Sequence, residues 1–405
     1  MMQSHRNTGS DLPIAPISVL CGILHAWIAW RIAPELVRSG GGSVIAGTFV
    51  VYLLGSALLI VLSIAGWRRY QGNLCRRVVT WAGLLCLGLF SSLLVLTVLR
   101  DALLVLAQLL VAAGARASLY GSLASASAIA VPLLGFTASV GGFWNARCSP
   151  RVLRVDVPIA GLPTALHGFT VAQISDLHVG PTISHRYVRR VVHQVNALRA
   201  DMVAVTGDLV DGTVADLAAH VAPMALLRSR HGTFFVTGNH EYYSGVQPWI
   251  EELRRLGLTV LINAHVVLQH RLDAGAAEVL TAELLVAGVA DFGAHRFVPW
   301  HRSDPQAALS GAPERVDARL LLAHQPRTAS AAALLGFDLQ LSGHTHGGQI
   351  WPWNHFVRFQ QPYTCGLQRV GEMWIYINRG TGYWGPPKRL GVPSEITHLR
   401  LVPAA

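Results

Sequence analysis

Aspartate and histidine recur in short groups along the C-terminal part of the chain. Asp176 and His178 come first, then Asp208 and Asp211, Asn239 and His240, a single His324, and His344 with His346. Carboxylates and imidazoles together suit divalent manganese, iron or zinc, whereas an all-oxygen set would suit magnesium or calcium. No cysteine joins the series, which argues against a structural zinc site. The patterns Asp-x-His and His-x-His place side chains two residues apart, so in a strand-end loop both can point to the same side. One such pair often arises by chance, and a lone histidine at a strand end more often serves packing than ligation. The ordered series D-x-H, G-D-x-x-D, G-N-H-E, H and G-H-x-H is far more specific.

Each group follows a run that reads as a β-strand. These runs are 169–175, 202–207, 233–238, 320–324 and 339–343. Helical spacing of apolar residues over 186–198, 214–228 and 247–256 separates the first ones, which predicts α/β layering. In α/β folds ligand sites gather at the carboxyl edges of strands. The ionisable groups are therefore expected to converge on one point. Proline-rich loops (351–363, 385–393) are expected to close the chain, and no internal repeat is visible.

The rest of the chain is of another kind. Its 405 residues are 52% hydrophobic and only 13% charged, with mean hydropathy +0.40. An ordinary soluble protein has about 25% charged residues, so a wholly soluble or disordered chain is disfavoured. The net charge of +10 is unevenly spread. Residues 1–150 hold 10 Arg and 3 acids, a net of +7. Residues 151–405 hold 22 Lys+Arg and 19 acids, a net of +3. That balance, with no basic run interleaved with aromatics, disfavours nucleic acid as a partner. Lys388 is the only lysine, and only His5 and His25 precede residue 150. The 5 cysteines are too few for a disulfide framework, and free thiols are expected at Cys148 and Cys365.

A bilayer core of about 30 Å needs about 20 apolar residues in a helix. Residues 39–67, 78–99 and 117–146 carry no charge between their ends, and a fourth stretch begins near Pro16 and contains Arg31. A signal peptide is disfavoured for that first stretch because further spans follow and no small-x-small cleavage site ends it. The expected layout is a transmembrane region over 1–146 with about four helices (16–37, 44–66, 78–99, 120–143), then a catalytic domain over 150–405. Residues 102–115 are short for a span and are expected to continue the third helix or lie at the interface. Arg68, Arg69, Arg76 and Arg77 in the 67–77 loop, with Arg147, Arg151 and Arg154, outnumber Arg38, Arg100 and Arg116. The positive-inside rule then puts the catalytic domain in the cytoplasm, at a multi-pass cell (inner) membrane. An extra crossing by 102–115 would reverse this.

The series DLH (176–178), GDLVD (207–211), GNHE (238–241), His324 and GHTH (343–346) resembles the calcineurin-like metallophosphoesterase superfamily. The phrases ISDLHVG, LSGHTHGGQI and NRGTGYWGPP resemble its membrane-associated bacterial branch, over about 150–402. The resemblance implies two packed β-sheets flanked by helices and two divalent metal ions (Mn, Fe or Zn). It implies that Asp176, His178, Asp208 and His346 hold one metal, and that Asp208, Asn239, His324 and His344 hold the other. It further implies that His240 is the acid for the leaving group and that Asp211 orients it. Protein phosphatases of the superfamily read G-D-x-x-D-R-G. Here Gly212 and Thr213 follow Asp211, so that phosphate-gripping arginine is absent. Glu241 is expected to lie outside the metal shell.

The implied function is hydrolysis of a phosphodiester or phosphomonoester, of a phospholipid or nucleotide-lipid in one reading, by a domain whose other partner is the bilayer. Trp351, Trp353, Trp374 and Trp384 are expected to pack, or else to form an apolar rim for a lipid chain. A membrane sensor that binds a phosphorylated ligand without turnover is the alternative. A transporter is disfavoured by the few intramembrane charges. No organic cofactor site is read, and no feature identifies a protein partner.

Overall fold

The computed structural model describes residues 14–38, 42–67, 74–273 and 279–404. His5, residues 39–41, and Arg68 and Arg69 of the charge-bearing loop lie outside the described residues. The chain divides into two compact units. One holds the helices up to Asn145 together with 385–390, and the other holds Ala146–Trp384 and the residues from Gly391 onward.

The helical unit contains α1 (Ile14–Leu36), α2 (Gly42–Trp67), α3 (Leu74–Ala112) and α4 (Ser118–Arg147). All four are long and apolar enough to cross a membrane. Residues 102–112 continue α3 without a break. Exposed Leu, Val and Ile cover the outer surface, while Ile28, Ile32, Leu53, Ile60 and Leu93 fill the interior. Without a hydrophobic drive between helices in lipid, association depends on close approach and polar contacts. A Cβ at Gly83 would stand 2.3 Å from the Leu59 carbonyl oxygen, so α2 and α3 meet only because Gly83 has none. His25 hydrogen-bonds the Cys21 carbonyl at 2.8 Å and Ser56 Oγ at 3.1 Å. Arg31 pairs with Asp101 at 2.9 Å. Lys388 belongs to this unit. Its Nζ donates to Gly88 O (2.7 Å), Ser92 Oγ (2.6 Å) and Ser139 Oγ (3.0 Å), so every N–H of this buried ammonium has an acceptor.

In the α/β unit the order is β1 (Arg151–Ile159), β2 (Thr170–Ile174), α5 (His185–Ala197), β3 (Met202–Val205), α6 (Val214–Val221), β4 (Thr233–Phe235), α7 (Asn239–Tyr243), α8 (Val246–Arg255), β5 (Thr259–Val260), β6 (Ala264–Asp273), β7 (Val279–Gly288), β8 (Ala318–Leu322), α9 (Ala329–Ala333), β9 (Leu339–Ser342), β10 (Gly366–Val370), β11 (Met373–Ile377) and β12 (Glu395–Pro403). One six-stranded sheet has the order β1-β12-β2-β3-β4-β5 and the other β10-β11-β9-β8-β7-β6. Both are mixed. The runs β2-β3-β4-β5 and β11-β9-β8-β7 are parallel. The chain therefore does not end in loops alone. β10 and β11 form a hairpin across Gly371-Glu372, and β12 inserts between β1 and β2.

Side-chain alternation explains the layering. Val171, Ala204, Leu320 and Leu341 point between the sheets, with Leu284, Val286 and Tyr376. Their neighbours Ala172, Val203 and Val205 face the helices, where Val188, Val191, Val192 and Val195 of α5 and Trp249 and Leu253 of α8 cover them. On the far side Leu285, Leu321 and Ile375 meet Ala329 and Ala332 of α9. Strands covered on both faces read as unbroken apolar runs, which is why β2, β3, β8 and β9 stand out in the sequence.

Candidate metal centre

The parallel strands β2, β3, β4, β8 and β9 all end at the same edge, and each delivers its polar group there. Asp176, His178 and His346 present ligand atoms within 4.8 Å of one another, and so do Asp208, His324 and His344. A third such group joins His178, Asp208 and His240. Asp208 thus belongs to two of these groups, and it is buried like Asp176, His178, His324 and His346.

The backbone is bent to achieve this. Asp176, His178, Asp208, His344 and His346 all have positive φ, between 50° and 70°. Such conformations cost about 1–3 kcal/mol each and persist only where the surroundings enforce them. The enforcing contacts are visible. Asp176 N–H donates to Gly207 O, and His178 N–H to Asp208 O, which stitches the loop after β2 to the loop after β3. Asp176 accepts the His344 N–H on both oxygens at 3.0 Å. Asp208 Oδ1 accepts the His240 N–H at 2.8 Å. Gly238 and Gly343 allow the approach, since a Cβ at either would fall 2.2 Å from the oxygen of Asp208 or Asp176.

Imidazole orientation follows from the same contacts. His324 Nδ1 lies 2.7 Å from Thr206 O and therefore carries the proton, which turns Nε2 toward Asp208 Oδ2 at 3.1 Å and His344 Nδ1 at 3.2 Å. His178 Nε2 faces His346 Nε2 at 3.0 Å. Asp211 Oδ1 accepts from Nδ1 of both His178 (2.9 Å) and His240 (2.6 Å). Asp211 therefore braces a predicted ligand as well as the histidine assigned to it from the sequence.

The donor set fits divalent metal. Its facing ring nitrogens and carboxylates would repel one another if all were unprotonated and no cation lay between them. Asn239 Oδ1 is buried with no hydrogen-bond partner, as expected of an oxygen meant for a cation. Burial and the neighbouring His324 push the His344 pKa down to about 3, keeping it neutral as ligation requires. His240 differs. Burial disfavours its charge, but Asp208 and Asp211 overcome this and lift its pKa to about 9.

Several contributors were not legible as motifs. Glu241 is fully buried, and its carboxylate accepts the N–H groups of Asp208 (3.0 Å), Leu209 (2.7 Å) and Gly238 (2.7 Å). It lies outside the ligand groups and holds two of the ligand-bearing loops together. The 378–384 loop does similar work. Thr381 and Gly382 donate to Ser175 O and Asp176 O, and its glycine-rich spelling was the available signal. Of the four tryptophans, Trp374 is packed and donates to Pro158 O, whereas Trp351, Trp353 and Trp384 are exposed. Trp384 stands 6.1 Å from the His240 ring and Tyr243 5.2 Å from it. Gln349 clamps the Trp384 backbone at both N–H and C=O.

A family model described as calcineurin-like phosphoesterase matches residues 169–348, the stretch from β2 through His346. A transmembrane protein with metallophosphoesterase domain from Danio rerio is 34% identical over 334 residues, 79% of this chain and 74% of that protein. The chain belongs to the calcineurin-like phosphoesterase family. An uncharacterized metallophosphoesterase of Helicobacter pylori is 35% identical over 267 residues, 65% of this chain and 66% of that protein. The solved calcineurin-like phosphoesterase YfkN of Bacillus subtilis covers 52% of this chain and 88% of its own, with TM-score 0.36 and 13% identity. As a calcineurin-like phosphoesterase the chain is a metal-dependent phosphoric ester hydrolase, and its Asp/His clusters are where divalent metal would bind.

Proposed function

We propose that this calcineurin-like phosphoesterase is a membrane-anchored hydrolase of phosphodiesters or phosphomonoesters that works with two divalent ions, Mn, Fe or Zn. The observation that carries this reading is two Asp/His groups, with Asp208 of the second 3.9 Å from His178 of the first, beside the His240–Asp211 pair. One group is Asp176, His178 and His346, to which the family resemblance adds Asp208. The other is Asp208, His324 and His344, with the unpartnered Asn239 Oδ1 beside it. Cations held there would supply an acidified water and neutralisation of phosphoryl charge.

The chain's own groups do the rest. His240 donates through Nδ1 to Asp211 and keeps Nε2 for the reacting group. With its pKa lifted to about 9, it carries a proton at neutral pH and can pass it to the departing oxygen. Asp211 fixes the tautomer and compensates the charge. Tyr243 and Trp384, both more than half exposed, flank His240 and suit an apolar or planar leaving group. This favours a phospholipid or nucleotide-lipid substrate for a protein whose other partner is the bilayer. The arginine asymmetry supports a multi-pass cell membrane protein with its catalytic domain in the cytoplasm.

Asp208→Asn tests the metal assignment. Metal content measured on the purified chain should fall, and turnover of a chromogenic phosphodiester should be abolished. Wild-type turnover in that variant would overturn the reading.

A further inference from the structure

We propose that Arg327 is the residue by which this site recognises a second anionic group next to the scissile phosphorus, so that the preferred substrate class is a diphosphate diester. The inference rests on the hydrolase reading above and deepens it.

Arg327 lies three residues after His324, in the turn that leaves β8. It is exposed. Its guanidinium is nonetheless held in place. Nε donates to Gln361 Oε1 at 3.4 Å, Nη2 donates to Gln360 O at 2.5 Å, and the group lies 5.2 Å from the Phe292 ring centre. The brace continues inward. Gln361 Nε2 donates to Gln325 Oε1 (3.1 Å), and Gln325 Nε2 to the buried Asp291 Oδ1 (2.9 Å). Gln325 is the residue after His324, so the same chain of amides ties Arg327 to the metal-facing loop.

What Arg327 lacks is a carboxylate. Four arginines of the α/β unit pair with acids, Arg255 with Glu252, Arg369 with Glu372, Arg379 with Glu395 and Arg400 with Asp156. Arg327 makes no ion pair among the described residues. Of the five N–H groups of a guanidinium, its hydrogen bonds engage two. The remaining fork is pre-organised and matches the oxygens of a phosphoryl group in bidentate fashion. Metals held there would neutralise the oxygens of the phosphoryl group under attack, so a further fixed cation on the loop that carries His324 is best matched by a further anion. The chain also lacks an arginine after Asp211, so Arg327 supplies a phosphate-directed cation from a different loop.

The test uses two probes that differ by one phosphoryl unit, diphenyl phosphate and P1,P2-diphenyl diphosphate. Both are titrated calorimetrically into the Mn-loaded full chain in detergent. Wild type should bind the diphosphate at least about tenfold more tightly, the scale of one charge-assisted hydrogen-bonded pair. Arg327→Ala should abolish that preference while leaving the diphenyl phosphate affinity unchanged, and Arg327→Lys should keep part of it. Arg327→Gln, which can still bond Gln360 O, separates recognition from loop bracing: it should retain wild-type melting yet lose the preference. Equal loss for both probes, or a preference that survives in Arg327→Gln, would overturn the proposal. Turnover of bis(p-nitrophenyl) phosphate is measured in parallel. Its absence alongside an intact diphosphate preference would reject the hydrolase reading and leave the role of Arg327 standing.

Discussion

His240 and Asp211 show most directly how single residues divide the work. His240→Ala removes the proton donor and no predicted ligand. Its kcat should fall by about 10²–10⁴-fold, with metal content unchanged by elemental analysis. Loss of metal would instead place His240 in the metal shell. Asp211→Asn should cost about 10–100-fold and move the upper limb of the kcat–pH profile to lower pH, because the carboxylate that raises the His240 pKa is gone. The sign follows from the role: His240 is active protonated, so activity declines as pH rises through its pKa. His324 titrates in the opposite sense for metal. Burial disfavours its charge, yet Asp208 at 3.1 Å prevails and raises its pKa. A cation must displace that proton, so metal affinity should weaken as pH falls, measurable by competition with a chromogenic chelator.

The elements matter because the ligands lie on loops, and the loops are held by one another. β2, β3 and β4 end side by side, and Glu241 at the start of α7 fastens the loops after β3 and β4 through three N–H groups. Glu241→Ala would leave those donors buried without an acceptor, which costs about 1–3 kcal/mol apiece at most. The variant should melt earlier by calorimetry and bind metal more weakly, although Glu241 itself touches no metal. An unchanged melting temperature would show that the carboxylate is dispensable. In the sequence Glu241 was only the last letter of G-N-H-E. Its neighbours identified the strand end, but nothing local marked the backbone donors brought to it from residues 208 and 209.

At the scale of the whole molecule, metal and membrane each leave a measurable signature. A ligand that binds only the native state stabilises it by about 2.7 kcal/mol at 100 times its Kd. Chelation should therefore lower the melting temperature of the α/β unit, and Mn or Zn should restore it. Cys75 and Cys148 are exposed, one at the start of α3 and one after α4. On the proposed topology, in which α3 and α4 cross and return, both should react with an impermeant maleimide in inside-out vesicles and not in intact cells. The reverse pattern would place the catalytic domain outside.

The amino-acid sequence by itself determined the four apolar helices, the α/β class and the ordered Asp/His series. Each is a local signal: a run too long and apolar for water, an apolar strand covered on both faces, a ligand two residues from another. The hairpin of β10 and β11 and the insertion of β12 between β1 and β2 escaped it, because β10 and β12 are mixed in polarity and β12 acquires partners more than 200 residues away. Only the tertiary structure decided that Asp211 braces His178 as well as His240, that Asn239 keeps an unpartnered buried oxygen, and that Arg327 stands fixed without an acid. The physical reason is the same in each case. Hydrogen bonding and charge compensation depend on distance in space, and residues 176, 208, 240, 324 and 346 become neighbours only when two sheets bring their strand ends to one edge.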